Sequence, residues 1–135
     1  TNRYVNIHTG EKTEHSLAEE ALDENTFLST EDIELIPLVS ELTVSEPIDI
    51  EVEQGDYVTK IITEVLPGVY PNSNLAIISS SWMARQASAQ EENIHLVQVG
   101  YKISFHPDQK GKVKISDNNG LTIIDWIEIF PFYLV

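Results

Sequence analysis

From Leu42 to Glu53 the chain alternates. Leu42, Val44, Ile48, Ile50 and Val52 are apolar, while Glu41, Thr43, Ser45, Asp49, Glu51 and Glu53 are polar. Successive side chains of a pleated strand point to opposite faces, so this period of two describes a strand with one face buried and the other in water. Pro47 cannot donate to a ladder and marks an edge or a bend. The pattern predicts a strand, or a bent pair of strands, over this stretch.

The rest of the chain is read around that strand. Gln54-Gly55-Asp56 predicts a turn, and Tyr57 to Leu66, rich in β-branched residues, a second strand that forms a hairpin with the first. Leu75 to Ile78 reads as a buried strand continuing toward Trp82, and Ala84 to Glu92 as a short helix or a polar loop. Alternation resumes from Ile94 to Phe105, with Val97, Val99, Tyr101, Ile103 and Phe105 on one face. Lys112 to Ile115 predicts a short strand, and Asp117-Asn118-Asn119-Gly120 a tight turn. Leu121 to Val135 is apolar on both faces, which suits a central strand or a terminal one covered by a neighbouring subunit. The expected fold class is mainly β: an antiparallel β-sandwich, jelly-roll-like, with one or two short helices.

Two regions are expected. Residues 1–30 form an acidic N-terminal arm or short helical segment, with a β-prone piece at Tyr4 to Ile7. Leu17, Ala18, Ala21 and Leu22 follow at helical spacing, with Ser16 as a cap. Residues 31–135 form the β-sandwich domain, beginning with an edge strand around Ile33 to Val39, where Pro37 would break a helix. A chain of 135 residues holds one core without staples, and with no Cys it has neither disulfides nor thiolate metal sites. Its first residue is Thr1, which leads us to expect a processed or excised piece. No apolar run approaches the ~20 residues of a membrane helix, so no membrane insertion is expected.

Eight Lys and Arg against 22 Asp and Glu give a net charge of −14. Such a surface repels nucleic-acid phosphate at long range and favours basic partners, so nucleic acid is not an expected partner. The charge is uneven, with 15 of the 22 acids between Glu11 and Asp56, and Lys102, Lys110, Lys112 and Lys114 grouped near one another. Head-to-tail self-association is one use for such a dipole.

Asp49, Glu51 and Glu53 carry the one constellation with catalytic spacing. Two apart on a strand, their carboxylates leave one face, as the acid and nucleophile of a retaining glycosidase do at ~5–5.5 Å. Asp49-Ile50-Glu51-Val52-Glu53 resembles the Glu-x-Asp-x-Glu signature of jelly-roll endoglucanases and laminarinases, with the order of acids changed. That resemblance covers five residues and implies glycoside hydrolysis. Asp117 and Asn119 offer oxygen ligands for calcium, but their cluster is first of all a tight turn. His8-Thr9-Gly10-Glu11-Lys12-Thr13 resembles the linker between zinc fingers, yet without cysteine the finger cannot exist. Ser79-Ser80-Ser81 lacks a nucleophile elbow, and no glycine-rich phosphate loop occurs, so no cofactor is expected. The aromatic residues are expected to fill the core.

The leading expectation is a non-catalytic binding or assembly domain. It would be a viral, phage or cell-surface structural component whose protein partner is a further copy of itself, in a virion or extracellular setting. The alternatives are a carbohydrate-active β-sandwich, either a glycoside hydrolase or a sugar-binding module on the Asp49/Glu51/Glu53 face, and an acidic inhibitor of a basic partner. An enzyme is the less favoured reading.

Overall fold

The computed structural model of the chain describes residues 4–6, 12–13, 36–70 and 74–134. Its strands are β1 (Tyr4–Asn6), β2 (Lys12–Thr13), β3 (Ile48–Glu51), β4 (Lys102–Phe105), β5 (Lys112–Ser116), β6 (Thr122–Glu128) and β7 (Phe132–Leu134). Two helices, α1 (Val58–Val65) and α2 (Leu75–Ala89), lie between β3 and β4. Strands β3-β4-β5-β6 form an antiparallel sheet in that order, and β2-β1-β7 form a smaller one. The protein is thus sheet-rich, as expected, with a four-stranded antiparallel sheet and two helices. The helical segment expected around Leu17 to Leu22 lies outside the described residues, as do residues 33–35 of the expected edge strand. Leu38 makes a parallel bridge to Leu134.

Several expected strands are corrected. Tyr57 to Leu66 is not the second arm of a hairpin but carries α1. Its apolar residues Val58, Ile61, Ile62 and Val65 recur at i, i+3, i+4 and i+7, a helical stripe, and the first three are buried. Here period overrides the β preference of branched side chains. Leu75 to Trp82 opens α2, which buries Leu75, Ile78, Ser79, Met83 and Ala87 along one face. The alternating stretch from Leu42 yields a strand only after Pro47, and Val39–Glu41 is a 3-10 turn. Ile94–Leu96 is likewise a 3-10 turn, and the strand begins at Lys102.

Leu121 to Val135 splits at Pro131 into β6 and β7, and β6 is an edge strand of its sheet rather than a central one. Its two-sided apolarity has an internal cause. Ile124 and Ile127 point into the core, while Trp126 lies on the outer face with the Lys114 ammonium 5.4 Å from its ring centre. The Asp117 to Gly120 turn joins β5 to β6 as expected: Asp117 Oδ1 accepts from the Asn119 and Leu121 N–H groups at 2.8 and 2.9 Å.

One core unites the sheet and the helices. Ile103, Phe105, Val113, Ile115, Ile124 and Ile127 from the strands meet Ile61, Ile62, Leu75, Ile78 and Met83 from α1 and α2. Two polar devices fix α2 against β6 and the segment after it. Ser79, with no exposed surface, donates to the Ile129 carbonyl at 2.7 Å and accepts from the Tyr70 hydroxyl at 2.5 Å. This holds Tyr70 in the left-handed region, at φ 62, which a tyrosine seldom adopts. One turn apart, Gln86 on α2 and Gln90 just past its end each grip a backbone unit of β6. Gln86 Nε2 donates to Glu128 O at 2.7 Å and its Oε1 accepts from Glu128 N at 2.8 Å. Gln90 does the same with Asp125 at 3.1 and 2.8 Å. The primary amides stand in for a neighbouring strand.

Among the described residues, no helix is long and apolar enough to cross a membrane.

A cleft between the α1 start and the 94–97 turn

The turn after β3 sets the start of α1. Gly55 sits at φ 88, a conformation favoured by glycine, and the Asp56 N–H donates to Glu53 O at 3.0 Å. The Asp56 carboxylate closes the turn by accepting from Glu53 N at 2.9 Å, and from Lys60 Nζ, one turn along α1, at 2.6 Å. Those two donors, Lys60 first, hold the Asp56 carboxyl below the usual carboxylate range, and the Asp56 carboxylate in turn holds the Lys60 ammonium above its own. Both oxygens of Asp56 are therefore engaged in building the turn, and its carboxyl is a poor general acid.

Tyr57 follows immediately, and 61% of its surface is exposed. That corrects the expectation that the aromatic residues fill the core, although Phe130 and Phe132 do. Opposite stands the 3-10 turn, capped where Asn93 Oδ1 accepts from His95 N at 2.9 Å. Ile94 plugs inward, while His95 and Leu96 remain exposed. Between these walls lies a cleft of about 250 Å³, with Tyr57, Val58 and Thr59 on one side, Ile94, His95 and Val97 on the other, and Ser80 and Met83 of α2 also lining it. A shallower depression shares Ser80 and His95 with it and continues along α2 past Ile77 and Ala84. Apolar walls with a few hydroxyl, imidazole and backbone groups are the usual make-up of a small-molecule site, although the cleft is smaller than the ~300–1,000 Å³ of a drug-sized one.

The acids singled out from the sequence stand elsewhere. Asp49 and Glu51 are exposed on the outer face of β3, and Glu53 lies beyond the strand's end in the turn. Asp49 Oδ1 accepts from Ser104 Oγ, its cross-strand partner, at 2.5 Å. None of the three lines the cleft. Asp117 Oδ1 is committed to its own turn, and among the described residues no group of three His, Asp or Glu is arranged to hold a metal.

Sequence reasoning missed Tyr57 and His95, which are far apart in the chain and meet only because α1 and α2 fold between β3 and β4. The signal that could have found the cleft was the helical spacing of Val58, Ile61, Ile62 and Val65, which leaves Tyr57 at a helix start. No known protein family matches the chain, and comparison with curated proteins and with solved structures likewise finds no match.

Proposed function

We propose that the domain is a non-catalytic binding module whose cleft takes a neutral glycan. The observation that carries this reading is the exposed Tyr57 ring beside a small cleft with apolar and hydroxyl-bearing walls. An aromatic face set at the rim of a polar-tipped cleft suits the C–H face of a sugar, with Thr59, Ser80 and His95 in reach of its hydroxyls. Val58, Met83, Ile94 and Val97 favour a ring that carries a small apolar substituent, such as the methyl of an acetamido group. The net charge of −14 disfavours sulfated or uronic polysaccharides by long-range repulsion. With Asp56 committed to its turn, the described residues bring no free carboxyl pair to the cleft for glycoside hydrolysis.

Replacing Tyr57 with alanine is expected to weaken binding to neutral, acetamido-bearing oligosaccharides by about fivefold to a hundredfold, the cost of one stacked aromatic at ~1–3 kcal/mol. Calorimetric titration of the two proteins against a panel of neutral and anionic oligosaccharides measures it. An unaltered chain that binds no member of the panel, or a Tyr57→Ala variant that binds as well as the parent, sinks the proposal.

Self-association is a second reading, and it is favoured by the exposed Val99 and Leu121 near one end of the sheet. There the loop before β4 approaches the β5–β6 turn, and a Cβ on Gly100 would lie 3.5 Å from Asn118 Cβ. Light scattering on the eluting protein is expected to report a dimer or larger species if that end is an interface; a monomer at high concentration removes the reading. Neither reading needs the jelly-roll or sandwich arrangement, because the cleft draws only on the helices, the turn after β3 and the segment leading to β4.

A further inference from the structure

The four-stranded sheet has two unlike edges. At β6, the amides of Gln86 and Gln90 occupy backbone groups that would otherwise be open to a further strand. At β3, among the described residues, nothing hydrogen-bonds to the outer side of the backbone.

The hydrogen bonds beyond β3 fix its phase. Val52 N donates to Tyr101 O at 2.7 Å and Val52 O accepts from Gly100 N at 2.9 Å, so Val52 turns its backbone toward the β4 side. In an antiparallel pair this alternates, so Ile50 and Ile48 also face β4, while the N–H and C=O groups of Asp49 and Glu51 face outward. The side chains are equally ordered. Ile48 and Ile50 are half-buried at the margin of the core, and Asp49 and Glu51 are exposed on the opposite face.

We infer that this edge accepts an added strand from a protein partner, an extended segment in which apolar residues alternate with Lys or Arg. The outward backbone groups of Asp49 and Glu51, unpaired among the described residues, supply the ladder, as in other cases of strand addition. Apolar residues of the newcomer continue the buried face beside Ile48 and Ile50. Its basic residues stand beside Asp49 and Glu51, where opposite charges across neighbouring strands attract. A second copy of β3 is not the occupant, because antiparallel self-pairing would set acids against acids. This inference does not rest on the glycan reading, since none of these residues lines the cleft.

The test is a titration of the full chain with a blocked synthetic peptide of alternating valine and lysine, followed by backbone amide NMR. Saturable binding is expected, with the largest shifts at the Asp49 and Glu51 amides. The double variant Asp49→Lys/Glu51→Lys, checked for folding by circular dichroism, is expected to bind this peptide about tenfold or more weakly and to prefer one of alternating valine and glutamate. Methylating the peptide nitrogens that face β3 is expected to abolish binding. The inference is overturned if the unmodified peptide does not saturate the protein, if the methylated peptide binds equally well, or if the charge-reversed variant keeps its taste for lysine.

Discussion

A Ser79→Ala variant is expected to lose about 2–4 kcal/mol of folding stability, because two interior groups lose their partner at once. The Ile129 carbonyl loses its donor and the Tyr70 hydroxyl its acceptor, in a place where Ser79 has no exposed surface and water has no ready access. Tyr70 also loses the contact that helps offset its left-handed backbone, leaving its ring held by the tilted contact with Phe130, 5.6 Å between centres. Urea unfolding measures the effect as a lower midpoint with an unchanged slope. A loss below about 0.5 kcal/mol, the range of an ordinary surface substitution, contradicts the account.

The same trio gives the protein an alkaline limb. Burial pushes the Tyr70 hydroxyl above the ordinary tyrosine value. A group whose proton is held more tightly in the folded chain contributes stability that is complete below its unfolded value, about 10 for tyrosine, and is lost as the pH rises beyond it. The difference in stability between the parent and Tyr70→Phe is therefore expected to be constant below that value. Above it the difference shrinks, by up to about 1.4 kcal/mol per pH unit.

The second large effect is expected at Gln86. Leucine there matches the size of the side chain but offers neither donor nor acceptor, leaving the Glu128 N–H and carbonyl without the partners they have at 2.8 and 2.7 Å. Because the site is partly covered, we expect a cost of about 2–3 kcal/mol, close to that of leaving both backbone groups unmet. Gln90→Leu breaks the equivalent pair with Asp125 in a more exposed position, where water replaces the lost bonds, and is expected to cost less than about 1 kcal/mol. Equal losses at the two positions would show that the amides act through helix packing rather than through the strand.

The contrast between what sequence and structure make plain lies in which signals were local. The β5 strand and its turn to β6 follow from Val113 and Ile115 alternating with lysines and from an Asp-Asn-Asn-Gly run whose first carboxylate caps its own turn. The helices were hidden by composition. The α1 stripe is made of valine and isoleucine, which favour strands, and only its spacing is helical. In α2 the buried face includes Ser79 while Ile77 is mostly exposed, so the apolar pattern that normally announces a helix is blurred. With α1 and the first half of α2 expected as strand, Tyr57 could not be placed at a helix start, and the cleft it forms with His95 had no local trace. The acids of β3 were correctly placed on one wet face as far as Glu51, but facing water rather than a cleft was a property of the assembled sheet.

The glutamine pair at the end of α2 has a consequence for how far strand exchange can go. Growth of a β-assembly is a relay: each arrival must expose a fresh rim for the next. Here one rim of the larger sheet is stoppered from within, by side chains that travel with every copy of the chain. Any recruitment through the opposite rim is then a single capture event, self-limiting in stoichiometry, and this sheet cannot seed a fibre by stacking its own kind edge upon edge.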